Sequence, residues 1–159
     1  MATDSIRKTP DRVALFVATG FGSGYLPWAP GTWGSLVGVA FFLALWKLDV
    51  LLPGIVAGLI AAVLAAPAGE RRFGKKDPGQ VVVDEVVCFP IAMLGLPVTV
   101  GWLAAAFLLF RFFDVIKPPP ADAVQRWPGG WGIVADDVIA ALYTCGVLNV
   151  ARWWYACGG

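Results

Sequence analysis

Four apolar stretches, each free of charge, decide what this chain can fold into: Thr32–Trp46, Val50–Gly69, Val86–Phe110 and Val138–Ala151. Segments buried in soluble cores seldom continue for about 20 residues without a charge, whereas a hydrocarbon layer about 30 Å thick requires it. Composition agrees. The 159 residues are 58% hydrophobic and only 14% charged, with mean hydropathy +0.73, against roughly 45–50% and about 25% in ordinary soluble domains. The sequence therefore predicts an all-α, polytopic integral membrane protein with about four apolar helical segments. The length suits a single membrane-embedded domain over residues 1–159. Its first twelve residues, MATDSIRKTPDR, read as a polar tail of mixed charge with no cleaved signal.

Several function classes fall away at once. The net charge of +1 gives no reason to expect a nucleic-acid partner. Histidine is absent, which removes Ser-His-Asp chemistry and histidine metal sites. Cys88, Cys145 and Cys157 form no CxxC pair, and the first two read as small apolar packers. Any catalysis must then be carried by carboxylates.

The charged residues that remain stand beside the apolar runs. Asp84-Glu85 precedes Val86–Phe110, Arg111, Asp114 and Lys117 follow it, and Asp136-Asp137 opens the last run. Charges in such places are costly unless they meet each other, a metal or a ligand. Arg111 and Asp114 share a helical face, Lys117 continues it, and Pro118-Pro119-Pro120 stops the helix. Val86–Phe110 is long enough to cross once, but Pro90, Gly95 and Pro97 argue for a broken or re-entrant segment. A return would bring Arg111 back to the side of Asp84. The basic runs Arg71–Lys76 and Arg111–Arg126 also favour one shared, cytoplasmic side.

Upstream, Gly20–Ser35 is uncharged and glycine-rich, with hydroxyls at Ser23, Thr32 and Ser35. It resembles an anion-binding loop but lacks the lysine of a Walker A motif. Thr32 or Ser35 is placed to cap the following helix. Gly54 and Gly58, four apart, mark an expected close helix contact. Trp127–Gly132 reads as an aromatic loop at the membrane interface.

Five carboxylates brought together would be driven to protonate unless a cation offset them. A hard divalent ion with oxygen ligands answers that need, and Mg2+ fits best. Asp84, Glu85, Asp114, Asp136 and Asp137 are the candidate metal ligands. Arg111 and Lys117 supply phosphate-binding positive charge, and Ser23, Thr32 and Ser35 supply hydroxyl donors. This set describes phosphoryl transfer on a lipid phosphate. A lipid phosphotransferase and an ion-coupled transporter are the rival uses of such residues.

Four motifs then carry a resemblance: GFGSGYLPWAPGTWGSL at 20–36, VVDE at 82–85, FRFFDVIKPPP at 110–120 and PGGWGIVADDVIA at 128–140. In that order, spread over roughly Val13 to Val150, they resemble the bacterial phosphatidylglycerophosphatase A family. The resemblance implies a Mg2+-dependent enzyme of the bacterial cytoplasmic membrane that removes the terminal phosphate of phosphatidylglycerophosphate, leaving phosphatidylglycerol. No obligate protein partner is implied. The family's acids fall on Asp84, Glu85, Asp114, Asp136 and Asp137, and its basic residues on Arg111 and Lys117. Cys88 stands where a glycine is usual, Gln125 where an acid is common, and Val134 where methionine is usual. The expected roles are Mg2+ binding by Asp84, Asp114 and Asp136 or Asp137, with Glu85 a further ligand or the base. Attack by water and an aspartyl-phosphate intermediate both fit these residues.

Overall fold

The computed structural model describes residues 11–158 and is all-α. Residues 1–10 of the expected polar tail lie outside the described residues. Asp11 and Arg12 already belong to a helix (α1, described over residues 11–18). A 3-10 turn at Ser23–Tyr25 leads to α2 (Pro30–Lys47), α3 (Leu51–Phe73), α4 (Val83–Ala92), α5 (Val100–Ile116), α6 (Ala121–Val124) and α7 (Gly130–Gly158).

The shortest of the main helices is the middle of the bundle. α2, α3, α5 and α7 all pack on α4, and every α4 residue except Glu85 is buried. Its sequence, VDEVVCFPIA, is apolar all round after the first turn, as a fully enclosed helix requires. Phe89 stacks edge-on between Phe42 of α2 and Phe110 of α5. Cys88 is buried among these residues, as expected of a small packer, while Cys145 is half-buried and Cys157 exposed.

The long helices stand outside. Leu52, Val56, Ile60 and Leu64, one turn apart on α3, are all exposed, Leu64 by 74%. An apolar exterior on so continuous a scale suits contact with lipid. Among the described residues two helices, Leu51–Phe73 and Gly130–Cys157, are long and apolar enough to cross a membrane. This is narrower than the four segments expected. α2 has 18 residues and α5 has 17, about 27 and 25 Å at 1.5 Å per residue. α4, with ten residues, reaches only about 15 Å and is no span.

The third apolar run is broken around Gly95 and Pro97 as expected, whereas Pro90 lies inside α4. α4 ends at Ala92 and α5 begins at Val100. Gly95 in the intervening turn has φ +76°, which a side chain would strain. Thr99 caps α5, its Oγ1 accepting from Trp102 N–H at 3.4 Å. α5 then runs back along the bundle and returns Arg111 to within 3.7 Å of Glu85.

Other expectations are corrected. α2 starts at Pro30, so Thr32 and Ser35 lie inside it and neither caps it; Ala29 is the N-cap, without a side-chain bond. α7 starts at Gly130, so Asp136 and Asp137 sit in its second turn rather than at a helix start, and half of the expected aromatic loop is helical. Gly54 and Gly58 do face neighbours, but these are the side chains of Leu45 and Val87. Gly34 and Gly38 of α2 lie against the backbone of the α4 segment. A Cβ on Gly38 would stand 2.8 Å from Phe89 Cβ and 2.9 Å from the Glu85 carbonyl oxygen.

Gly38→Ala is therefore expected to lower stability by about 1–3 kcal/mol through overpacking. Gly101→Ala, in an open stretch of α5 with nothing within 4 Å, should be neutral or stabilising by up to about 1 kcal/mol. Thermal unfolding of both variants in detergent checks the pair.

Candidate active site

Where the ends of α2, α4 and α5 meet the second turn of α7, the bundle leaves a cavity of about 260 Å³. Ala29, Pro30 and Gly31 line it from the start of α2, and Asp77, Gly79 and Val81 from the α3–α4 connection. Asp84 and Glu85 enter from α4, Arg111, Asp114 and Lys117 from the end of α5, and Asp137 from α7.

Three carboxylates dominate it. Oxygens of Asp84, Glu85 and Asp137 lie within 4.8 Å of one another. Asp84 Oδ1, Glu85 Oε2 and Asp137 Oδ2 are buried without a hydrogen-bond partner. A buried anion without a donor is strongly disfavoured, and three together more so. The grouping suits a hard cation, which prefers oxygen ligands and anionic charge. Asp84 and Glu85 stand in the first turn of α4, ahead of the apolar run. Burial, and then the charges of Glu85 and Asp137, hold the Asp84 carboxyl well above the usual aspartate range. Burial also raises Glu85, opposed in part by a hydrogen bond with Asp84 and by the Arg111 guanidinium.

The positive groups are already oriented. Arg111 Nη1 donates to Asp114 Oδ2 one helical turn on, and its ion pair with Glu85 spans 3.7 Å. Lys117 is not a continuation of the Arg111–Asp114 face. It caps α5 in the left-handed region, at φ +49°, and its amine donates to Asp136 Oδ2. Asp136 does not line the cavity; its Oδ1 accepts from the Asp137 N–H at 3.1 Å. Of the adjacent aspartates, Asp137 faces the cavity and Asp136 holds Lys117.

The three hydroxyls do not converge here. Ser23 Oγ donates to Gly20 O at 2.8 Å and buried Ser35 Oγ to Gly31 O at 2.9 Å. Thr32 lies in the first turn of α2, outside the cavity lining. Ser23 and Ser35 serve the local backbone, and Ala29, Pro30 and Gly31 form the cavity wall on that side. Gly31 is the reason it fits: a Cβ there would meet Glu85 Oε1 and stand 2.9 Å from both Arg111 Nη atoms.

Asp77 was missed. It lines the cavity with φ +45°, its Oδ2 accepting from Gln125 Nε2 at 3.1 Å. The Asp77-Pro78-Gly79 turn just ahead of the VVDE motif was the available signal. Gln125, the departure from the expected acid, can donate where an ionised acid could not.

The fold and site together define an all-helical, membrane-associated protein built around a carboxylate cluster able to hold a metal ion. Comparison with known proteins names the family. The sequence profile of Phosphatidylglycerophosphatase A matches residues 16–152. The chain is 36% identical over 143 residues to a Phosphatidylglycerophosphatase A of Haemophilus influenzae, covering 87% of this chain and 88% of that one. It is 34% identical over 142 residues to the Escherichia coli protein of the same name, covering 83% and 79%. A Bacteroides thetaiotaomicron protein named "Putative phosphatidylinositol-3-phosphatase" is 38% identical over 156 residues, covering 92% and 98%. No solved structure matches. The chain belongs to the phosphatidylglycerophosphatase A family, and that membership makes it a phosphatase-type hydrolase acting on lipid.

The crowded acids set a pH dependence. A folded Asp84 pKa above the unfolded value of about 3.9 means that the folded state binds more protons between the two. Its contribution to stability is complete below about pH 4 and is lost as pH rises through the folded pKa. In chelator, the melting temperature should fall from pH 5 to pH 8, and millimolar divalent cation at pH 8 should restore much of it. Asp84→Asn should flatten the slope and weaken the cation response, read by thermal unfolding at each pH.

Proposed function

We propose that the protein hydrolyses the terminal phosphate monoester of phosphatidylglycerophosphate, giving phosphatidylglycerol and inorganic phosphate, with Mg2+ as cofactor. The observation that carries this reading is the trio of unpartnered buried oxygens on Asp84, Glu85 and Asp137, set beside Arg111 and Lys117. Those three acids would hold the ion, with Asp114 and Asp77 at the edge of the same cavity. When bound, Mg2+ would polarise the phosphoryl oxygens and make a coordinated water more acidic.

The remaining work falls to the chain's own residues. Arg111, fixed by Asp114 and Glu85, presents its guanidinium to the phosphate, where two parallel hydrogen bonds are possible. Lys117, braced by Asp136, offsets charge on the same group. Gly31 keeps the opposite wall free of a side chain. In the reaction an oxygen of water forms the new bond to phosphorus, the bond from phosphorus to the glycerol oxygen breaks, and that oxygen takes a proton. Glu85, carrying an orphaned oxygen beside Arg111, is the residue proposed to accept the proton of the attacking water. An aspartyl-phosphate formed on Asp137 or Asp84 is the alternative route to the same products.

Aromatic residues support an interfacial site. Trp28, Trp33, Trp127 and Trp131 are exposed near the cavity end, and Trp46, Trp153 and Trp154 near the other. Trp131 and Trp153 are 22 residues apart on α7, about 33 Å, close to the hydrocarbon thickness. Acids near headgroup depth suit a lipid phosphatase of the cytoplasmic face better than a mid-bilayer cation pathway. A second substrate reading, hydrolysis of phosphatidylinositol 3-phosphate, is favoured by the name of the Bacteroides relative. Both substrates present a phosphate monoester on a lipid headgroup.

The test is phosphate release in mixed micelles from the two lipids, with Mg2+ and with chelator. Release from phosphatidylglycerophosphate should need the metal and fall by at least about 100-fold in Asp84→Asn and Asp137→Asn. Arg111→Lys should lower kcat more than it raises KM, because it loses bidentate contact in the transition state. Preference for the inositol lipid would select the second reading. Absence of release from folded protein across several divalent metals would sink both.

A further inference from the structure

A second feature lies on the outside of the α3–α7 pair, away from the acids. A groove of about 670 Å³ runs between these two membrane-length helices. Its lining is wholly apolar; Val56, Ile60 and Leu64 of α3 face Trp131 and Val134 of α7, with Trp127 at the rim. At the end of α3 a separate polar recess of about 550 Å³ is formed by Glu70, Arg71, Lys75 and Lys76 against Pro128 and Gly129. Trp127 and Trp131 line the groove, and Pro128 and Gly129 between them line the recess, so the two features are joined by one short segment.

We propose that groove and recess together form a site for one anionic phospholipid of the surrounding bilayer, its acyl chain along α3 and α7 and its phosphodiester at Lys75 and Lys76. The inference does not depend on the hydrolase reading. Three observations select this occupant. The groove volume falls in the range of about 300–1,000 Å³ typical of small-ligand sites, yet it offers no polar group to a soluble ligand. The recess supplies the polar end, with three basic residues to one acid. Glu70 is partly engaged, accepting from the Asp77 N–H at 3.4 Å, and Arg71 is shared with Asp11 at 3.0 Å, which leaves the lysines as the main charge on the rim. Finally, exposed Trp127 and Trp131 mark headgroup depth beside the recess. A second copy of this chain would bring the same basic rim, and like charge does not complement it. Lipid binding here would act on the Gly74–Gly79 connection, whose far side carries Asp77 and Gly79 into the acidic cavity.

The experiment titrates phosphatidylserine or phosphatidylcholine of identical acyl chains into the full protein in neutral detergent. Melting temperature and native mass spectrometry report binding. Phosphatidylserine is neither a phosphate monoester nor the proposed product, so the acidic cavity does not compete for it as substrate. Phosphatidylserine should bind more tightly, and Lys75→Gln with Lys76→Gln should weaken it roughly thirty-fold, to the level of phosphatidylcholine. Ile60→Trp should weaken both lipids by filling the groove. Lys47→Gln, on an exposed lysine at the other end of α2, should change nothing. Equal binding of the two lipids, a preference that survives the double substitution, or an equal loss in Lys47→Gln would overturn the proposal. So would an Ile60→Trp variant that changes oligomeric state while leaving lipid binding intact.

Discussion

Carboxylates crowded in a buried place are the constraint on which the rest of this structure depends. Asp84, Glu85 and Asp137 each leave a buried oxygen without a donor, although donors stand close by. Arg111 is engaged by Asp114 and Glu85, and Lys117 by Asp136. A fold selected for stability alone would bury apolar residues there at lower cost. The surrounding positive charges reduce the repulsion but leave the three oxygens unmatched, and that residual demand gives the cavity its capacity for a cation.

The bundle meets this demand by placing its shortest helix at the centre. α4 is too short to reach across a bilayer, yet it is packed by four neighbours. Its first turn can therefore present acids at one end of the bundle while its remainder acts as core. Close approach is needed for this, and glycine supplies it. Gly34 and Gly38 bring α2 against the α4 backbone, and Gly31 leaves room for the Glu85–Arg111 pair. The same helix face thus serves packing at two positions and the site at a third. A methyl group added along it would disturb both.

Much of this arrangement was legible in the sequence because it rests on strong physical signals. Uncharged runs marked the helices, Gly95 and Pro97 marked the break, and charges flanking apolar runs marked residues that had to converge. Convergence of Asp84, Glu85, Arg111, Asp114 and Lys117 in one cavity follows from that single return of the chain, and α7 adds Asp137. The hydroxyls of Ser23 and Ser35 each bond a carbonyl of their own segment, a local pairing that composition alone does not reveal. Asp77 was hidden inside a run of charges that looked solvated, although the fold places it in the cavity wall and bonds it to Gln125, 48 residues away. Helix starts were also displaced, since Pro30 and Gly130 begin helices in stretches that read as loops. Tertiary contacts decide such cases: α2 begins where Gly31 must meet Glu85, and α7 where Gly130 packs on the Val63 backbone.

Precision at the acidic end also depends on the opposite end. The turn between α4 and α5 sets how far α5 returns, and hence where Arg111 stands relative to Glu85. That turn exposes carbonyls that no helix satisfies. α7 supplies the donors: Asn149 Nδ2 donates to Leu94 O at 2.9 Å, and the Arg152 guanidinium to Gly95 O. Cys145 Sγ adds a weaker contact to the Leu94 carbonyl at 3.5 Å. Because α7 also carries Asp136 and Asp137 in its second turn, one helix fixes both the turn that aims Arg111 and the acid that faces it. Between helices that pack mainly through apolar side chains, these few polar bonds help to hold the register of one helix against another.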